Sequence, residues 1–186
     1  MEKKKYEKIV ISLILIIQTI IFIIIGANKS YIHMDEAYSL GLASYDKVEI
    51  QDNEDFYNTW HDGKYYEDYL CVNDDEIGQY KQVYENQKND VHPPLYYLIL
   101  RFAMGFHKNS YSKWPGIIIN MIIYAFVTIF MYLILNKILK DKYKYKEKSA
   151  IIAMVSSLVL ASITNVIYIR MYALSTLNVL ITTYLH

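Results

Sequence analysis

The sequence predicts an all-α polytopic membrane protein, with transmembrane helices and one large outer loop that contains interfacial helices. Three observations predict it. Windows without a single charge lie between Lys8 and Lys29, Lys113 and Lys137, and Lys148 and Arg170, and another begins after Arg170. Each of the first three reaches the roughly 20 apolar residues that a helix needs to cross a bilayer. The composition is 54% apolar with 20 Tyr, although 19 basic residues balance 19 acidic ones. Charge is also segregated: residues 28–92 hold 15 Asp or Glu against 5 Lys, whereas residues 137–148 hold 6 Lys against 2 acids. Such a balance points to two differently charged sides and to no nucleic-acid partner.

The first element is a transmembrane helix over 9–27, "VISLILIIQTIIFIIIG" at its heart. Its basic start, with Lys3, Lys4, Lys5 and Lys8, would suit a signal peptide. The apolar run is too long for one and no A-x-A-like site follows, so an uncleaved anchor is expected. Residues 28–113 then form a loop long enough to be functional in its own right. Within it, an interfacial helix is expected near 94–107, started by Pro93 and Pro94, whose missing N–H groups a first turn does not need. That helix puts Leu95, Leu98, Ile99, Phe102 and Phe106 on one side, in lipid or against the bundle, with Arg101 and Lys108 elsewhere.

A second span follows over 114–136, a lysine-rich connection over 137–148, a third span over 149–169 and the start of a fourth at 171–186. A charge at mid-span costs roughly 2.5–3.5 kcal/mol, which makes their freedom from charge informative. The positive-inside bias places the N-terminus and the 137–148 connection in the cytoplasm and residues 28–113 outside. The turn from Asn165 to Arg170 is then also outside. An integral protein of a bacterial plasma membrane is the expected localisation.

Other chemistry is sparse. There is no internal repeat, Gly-rich phosphate loop, metal-spaced Cys/His set or basic aromatic stripe. Cys71 stands alone, so no disulfide forms within these residues. Between Asp46 and Asp90, acids mix with Tyr57, Trp60, Tyr65, Tyr66, Tyr69, Tyr80 and Tyr84. Asp74-Asp75-Glu76 lacks EF-hand spacing and reads as a solvated face before a cation site. No cofactor is indicated; a divalent cation is left open.

The topology brings Asp35 and Glu36, His92 and Arg170 to one outer interfacial layer. A carboxylate there could take a proton and a guanidinium could hold a phosphate. Each has a plainer role as well: Asp35 caps a helix through "DEAYSLGLA", His92 is a loop residue, and Arg170 snorkels from a helix end.

Taken in order, "HMDEAYSLGLA", "NDVHPPLYYLIL" and "IYIRMYALSTL" resemble the start of a family 39-type membrane glycosyltransferase of the GT-C superfamily, the group that includes protein O-mannosyltransferases and aminoarabinose transferases. The resemblance covers most of this chain and roughly the N-terminal third of a family member. It implies the N-terminal portion of a GT-C fold and an inverting transferase. The sugar would come from a polyprenyl-phosphate-linked donor and go to a lipid, glycan or protein acceptor outside the membrane. It further implies Asp35 as general base, Glu36 as its orienting partner in a catalytic pair, and His92, Arg170 and Tyr172 as substrate-binding residues, with Arg170 on the lipid phosphate. Two departures accompany it. Asn165 stands where some relatives carry a second acid, and the chain stops at His186 inside the fourth window, so these 186 residues alone are expected to be inactive. The rival expectation is a non-enzymatic accessory protein of envelope-polysaccharide assembly. A transporter piece fits less well, because the ionisable residues sit at the membrane edge.

Overall fold

Charge-free stretches of Ile, Leu and Phe have no water-facing side, so in a bilayer they must bond their backbone internally as helices. The computed structural model, which describes residues 2–44, 59–88, 90–139 and 146–186, is helical throughout, with no strand among the described residues. Residues 45–58, with Tyr57, and 140–145 of the lysine-rich connection lie outside the described residues, as does Asn89. Among the described residues, two helices are long and apolar enough to cross a membrane: α1 (Glu2–Asn28), over Lys8–Asn28 with mean hydropathy 3.0, and α6 (Trp114–Leu139), with mean hydropathy 2.4. Between them come α2 (Met34–Ser44), α3 (Gly63–Leu70), α4 (Tyr80–Lys88) and α5 (Leu95–Met104); after them come α7 (Lys146–Ser157), α8 (Leu160–Ile167) and α9 (Tyr172–Leu185). The chain divides into two compact units.

The first unit comprises Met1–Ser30, Asn120–Tyr168 and Tyr172–His186. Its α1 buries Ile14, Gln18 and Phe22, one residue per turn, while Leu13, Ile16, Ile17, Ile20 and Ile24 stay exposed. An outward face made of isoleucine and leucine is costly in water and at home in lipid. Inside, Ile14 packs with Tyr132, Ala150 and Ala153. Polar groups join the helices where lipid could not solvate them: Thr128 Oγ1 donates to Gln18 Oε1 at 2.9 Å, and Gln18 Nε2 donates to the Tyr124 carbonyl at 3.4 Å.

The third charge-free window is not one straight rod. Helices α7 and α8 are bent by 59° at Leu158–Val159, without Pro or Gly. Serine hydroxyls take up carbonyls at the break. Ser162 Oγ donates to the Ser156 carbonyl at 2.9 Å and Ser157 Oγ to the Met154 carbonyl at 2.7 Å, while Val159 turns extended with ψ 156°. Hydroxyls bonded to helix carbonyls in this way often accompany a bend in the ladder. At the far end of α8, Asn120 Nδ2 donates to the Val166 and Tyr168 carbonyls at 3.2 and 2.9 Å, as suits the carbonyls of a helix end.

The second unit comprises Tyr31–Ile119 and Ile169–Met171. Here α2 packs against α3, α4 and α5. It buries Leu40, Gly41, Ala43 and Ser44; Gly41 lies so close to the Tyr69 ring that an added Cβ would overlap it. Ser44 Oγ donates to the Tyr69 carbonyl at 2.7 Å, tying the ends of α2 and α3.

Helix α5 differs from the sequence expectation in one residue that matters. Leu95, Phe102 and Phe106 are exposed, Phe106 to 79%, but Arg101 is only 2% exposed. Its Nη1 donates to the carbonyls of Ala43, at 3.1 Å, and Ser44, and its Nη2 donates to that of Glu76. The guanidinium therefore closes the C-terminus of α2, where the last carbonyls and the negative dipole end need a cation. Its charge belongs inside, and the phenylalanine stripe faces out.

Candidate functional site

The acidic pair after the first span sits on the first turn of α2. The His33 carbonyl accepts the N–H groups of Glu36 and Ala37, both at 3.0 Å, so His33 is the residue that starts the helix. Its ring completes the cap, because Nδ1 accepts the Asp35 N–H at 3.2 Å. Glu36 returns the favour three residues on: its Oε2 accepts the His33 N–H at 2.8 Å, the reciprocal half of a capping box. The plainer reading of Asp35 as the cap is thereby displaced, since His33 holds that position.

The other oxygen of Glu36 reaches across the sequence. Oε1 accepts the Ile169 N–H at 2.9 Å, and beside it Arg170 Nη1 donates to the Asp35 carbonyl at 3.2 Å. Segment 169–171 is thus clamped onto the start of α2 by two hydrogen bonds spanning more than 130 residues. Gly116 makes room for it, because a Cβ there would stand 2.9 Å from Ile169 Cγ1. Tyr111 faces the same carboxylate: burial, and then the charge of Glu36, push its phenol above the usual tyrosine range.

The two carboxylates of the pair therefore have different prospects. Glu36 is 0% exposed, with both oxygens held by backbone N–H groups. Asp35 keeps a side chain 44% exposed, its Oδ2 3.8 Å from His33 Nδ1. Of the two, Asp35 is the accessible carboxylate, and Glu36 is held by backbone groups. Arg170, 9% exposed, carries its charge next to Asp35.

The remaining sequence candidates have local partners. His92 Nδ1 lies 2.8 Å from Asp90 Oδ2 and its ring leans on Tyr97. Tyr172 belongs to the first unit, half-exposed and stacked on Tyr168 at 6.3 Å between centroids. Sequence reasoning missed His33, Tyr111 and Gly116. The first was findable, because a Glu three residues after a helix-start residue is the capping-box spacing, although histidine is an uncommon partner in it.

Asp74 turns its carboxylate to Lys108 Nζ and to Asn109 Nδ2 at 2.8 Å, and these hydrogen bonds, the lysine's first, lower its pKa below the ordinary aspartate range. Among the described residues no group of three or more His, Cys, Asp or Glu is arranged to hold a metal ion. A cleft of about 190 Å³ opens beside Arg101, lined by Val72, Ile77, Tyr80, Phe102 and Phe106. It is smaller than the roughly 300–1,000 Å³ of usual ligand sites and lacks a converging set of polar groups. No protein-family model matches the chain, and no curated protein or solved structure matches it either.

Proposed function

We propose that these residues belong to an inverting glycosyltransferase of the GT-C, family 39 type. It would use a polyprenyl-phosphate-linked sugar and glycosylate an acceptor at the outer face of a bacterial plasma membrane. The observation that carries the reading is that Arg170, 135 residues away in sequence, donates to the main-chain carbonyl of Asp35, whose own carboxylate is half-exposed. In the reaction, Asp35 takes the proton of the acceptor hydroxyl as its oxygen forms a bond to the anomeric carbon. The bond from that carbon to the phosphate oxygen breaks, and the polyprenyl phosphate leaves with the electron pair. A single displacement inverts the anomeric centre. Arg170 stabilises the negative charge gathering on the departing phosphate, for which a planar guanidinium is suited. Glu36 holds the 169–171 segment in place for this.

One observation favours the second reading, a non-enzymatic accessory protein of envelope-polysaccharide assembly. Both Glu36 and Arg170 bond backbone groups, as members of a purely structural clamp would. Transfer of a labelled sugar from a polyprenyl-phosphate donor by the complete gene product separates the two.

Orientation is testable first. In this reading the positive-inside bias of the lysine-rich segments puts residue 66 outside and residue 148 inside, and both side chains are exposed on the protein. Burial, followed by the charges of Asp68, Glu76 and Glu67, pushes the Cys71 thiol up to about 11, which makes it a poor nucleophile, and replacing it removes the residual background. In intact cells, an impermeant maleimide is expected to label Tyr66→Cys and to spare Lys148→Cys. Labelling of residue 148 with protection of residue 66 would reverse the topology and remove the outer-face reaction.

A further inference from the structure

The loop before α5 carries a side-chain pair apart from the hydrogen bonds that join Asp35, Glu36 and segment 169–171. His92 Nδ1 stands 2.8 Å from Asp90 Oδ2, and the two side chains are 20% and 24% exposed. The imidazole leans on Tyr97, with 6.5 Å between ring centroids and 48° between planes. Tyr97 is itself fully buried and met edge-on by Tyr96 at 5.8 Å. A ring held in this way has Nδ1 committed to Asp90, and its side chain keeps part of its surface exposed. The second oxygen of Asp90 is occupied, since Oδ1 accepts the Val91 N–H at 2.8 Å. An ionised carboxylate only accepts hydrogen bonds, so the hydrogen between the pair is carried by His92 Nδ1.

The geometry points to Asp90 as a positioning residue that keeps Nε2 of His92 unprotonated, as the hydrogen-bond acceptor for a hydroxyl of the glycosyl acceptor. An imidazole carries one hydrogen when neutral; holding it on Nδ1 leaves the lone pair on Nε2. The identity of the hydroxyl rests on the transferase reading above, whereas the tautomer does not. No proton changes hands in this role. His92 orients the hydroxyl, and the chemistry needs no base beyond Asp35. Asp90 thus separates an acceptor of hydroxyl groups from an ordinary loop histidine, whose two tautomers interchange. His33 supplies an internal contrast, because its Nδ1 accepts the Asp35 N–H and its hydrogen must sit on Nε2.

Asp90→Asn reverses this polarity for a reason visible in the loop. The Val91 N–H needs an acceptor, so the amide oxygen stays there and the NH₂ group is turned toward His92. A donor facing Nδ1 forces the ring hydrogen onto Nε2. The experiment is ¹⁵N NMR of the full chain labelled at histidine, at about pH 8, above the usual histidine pKa of about 6.5. The His92 signals are assigned by their loss in His92→Gln. The expected result is an unprotonated Nε2 at His92 in the native chain and an unprotonated Nδ1 in Asp90→Asn, with His33 unchanged. A protonated Nε2 in the native chain, or the same tautomer in both, would overturn the proposal. In the complete gene product, Asp90→Asn and His92→Gln are each expected to lower sugar transfer by about tenfold, the worth of one hydrogen bond, with no further loss when combined. Independent, additive losses would overturn the link between the two residues. A tautomer switch without any sugar transfer by the native enzyme would instead remove the transferase reading and the hydroxyl with it.

Discussion

Asp35→Asn in the complete gene product is expected to lower sugar transfer by roughly 10² to 10⁴-fold while the fold persists. Asparagine keeps the size of the side chain but cannot take the acceptor's proton. The structural cost is small for a specific reason. The cap of α2 belongs to His33 and Glu36, and Asp35 contributes its carbonyl, a backbone group, to Arg170. What the helix loses is one negative charge in its first turn, about 0.3–1 kcal/mol. Asp35→Ala should be similar in stability for the same reason, which a role as cap would not permit. Transfer from a radiolabelled donor, with the thermal midpoint recorded alongside, checks both parts. Undiminished transfer by Asp35→Asn would return the acidic pair to helix-start chemistry alone.

Glu36→Leu is expected to destabilise the protein more than any substitution at Asp35. Leucine is close in volume but accepts nothing, so the buried N–H of Ile169 and the part-buried N–H of His33 both lose their acceptor. The orphaned Ile169 group costs about 1–3 kcal/mol, and the His33 group, which water can reach, costs less. Glu36→Gln separates structure from catalysis, because its single carbonyl oxygen can serve one N–H group while its NH₂ confronts the other. An intermediate loss of thermal stability is expected, with turnover falling in step as segment 169–171 loosens. Wild-type stability in Glu36→Leu would show that the clamp is not what holds this segment. A large loss of turnover by Glu36→Gln at unchanged stability would make Glu36 a reacting group.

The helices that carry no charge were plain in the sequence. Their apolar length alone dictates them, and both α1 and α6 lie where charge-free windows stand between lysines. The break between α7 and α8 was hidden, because serine is tolerated in helices and no Pro or Gly marks the place where Val159 turns extended. Arg101 illustrates a different limit. A helical wheel weighs side chains by polarity, and nothing in it shows that the buried end carbonyls of another helix, more than 55 residues earlier, require a cation. The candidate site was legible as chemistry and illegible as geometry. Asp35, Glu36 and Arg170 could be named from their types and expected depth. That Glu36 is the buried clamp and Asp35 the accessible carboxylate depends on the Ile169 N–H, a backbone group that no residue type announces.

The central claim is that Asp35 and Arg170 act on opposite partners of one reaction, and a steady-state comparison of Asp35→Asn with Arg170→Lys tests it most directly. Lysine keeps the charge but loses the planar fork that grips phosphate. Transfer is measured against the concentration of the polyprenyl-phosphate donor at saturating acceptor. Arg170→Lys is expected to raise KM for the donor, while Asp35→Asn lowers kcat and leaves that KM near its native value. An unchanged donor KM in Arg170→Lys, together with native kcat in Asp35→Asn, would contradict the claim.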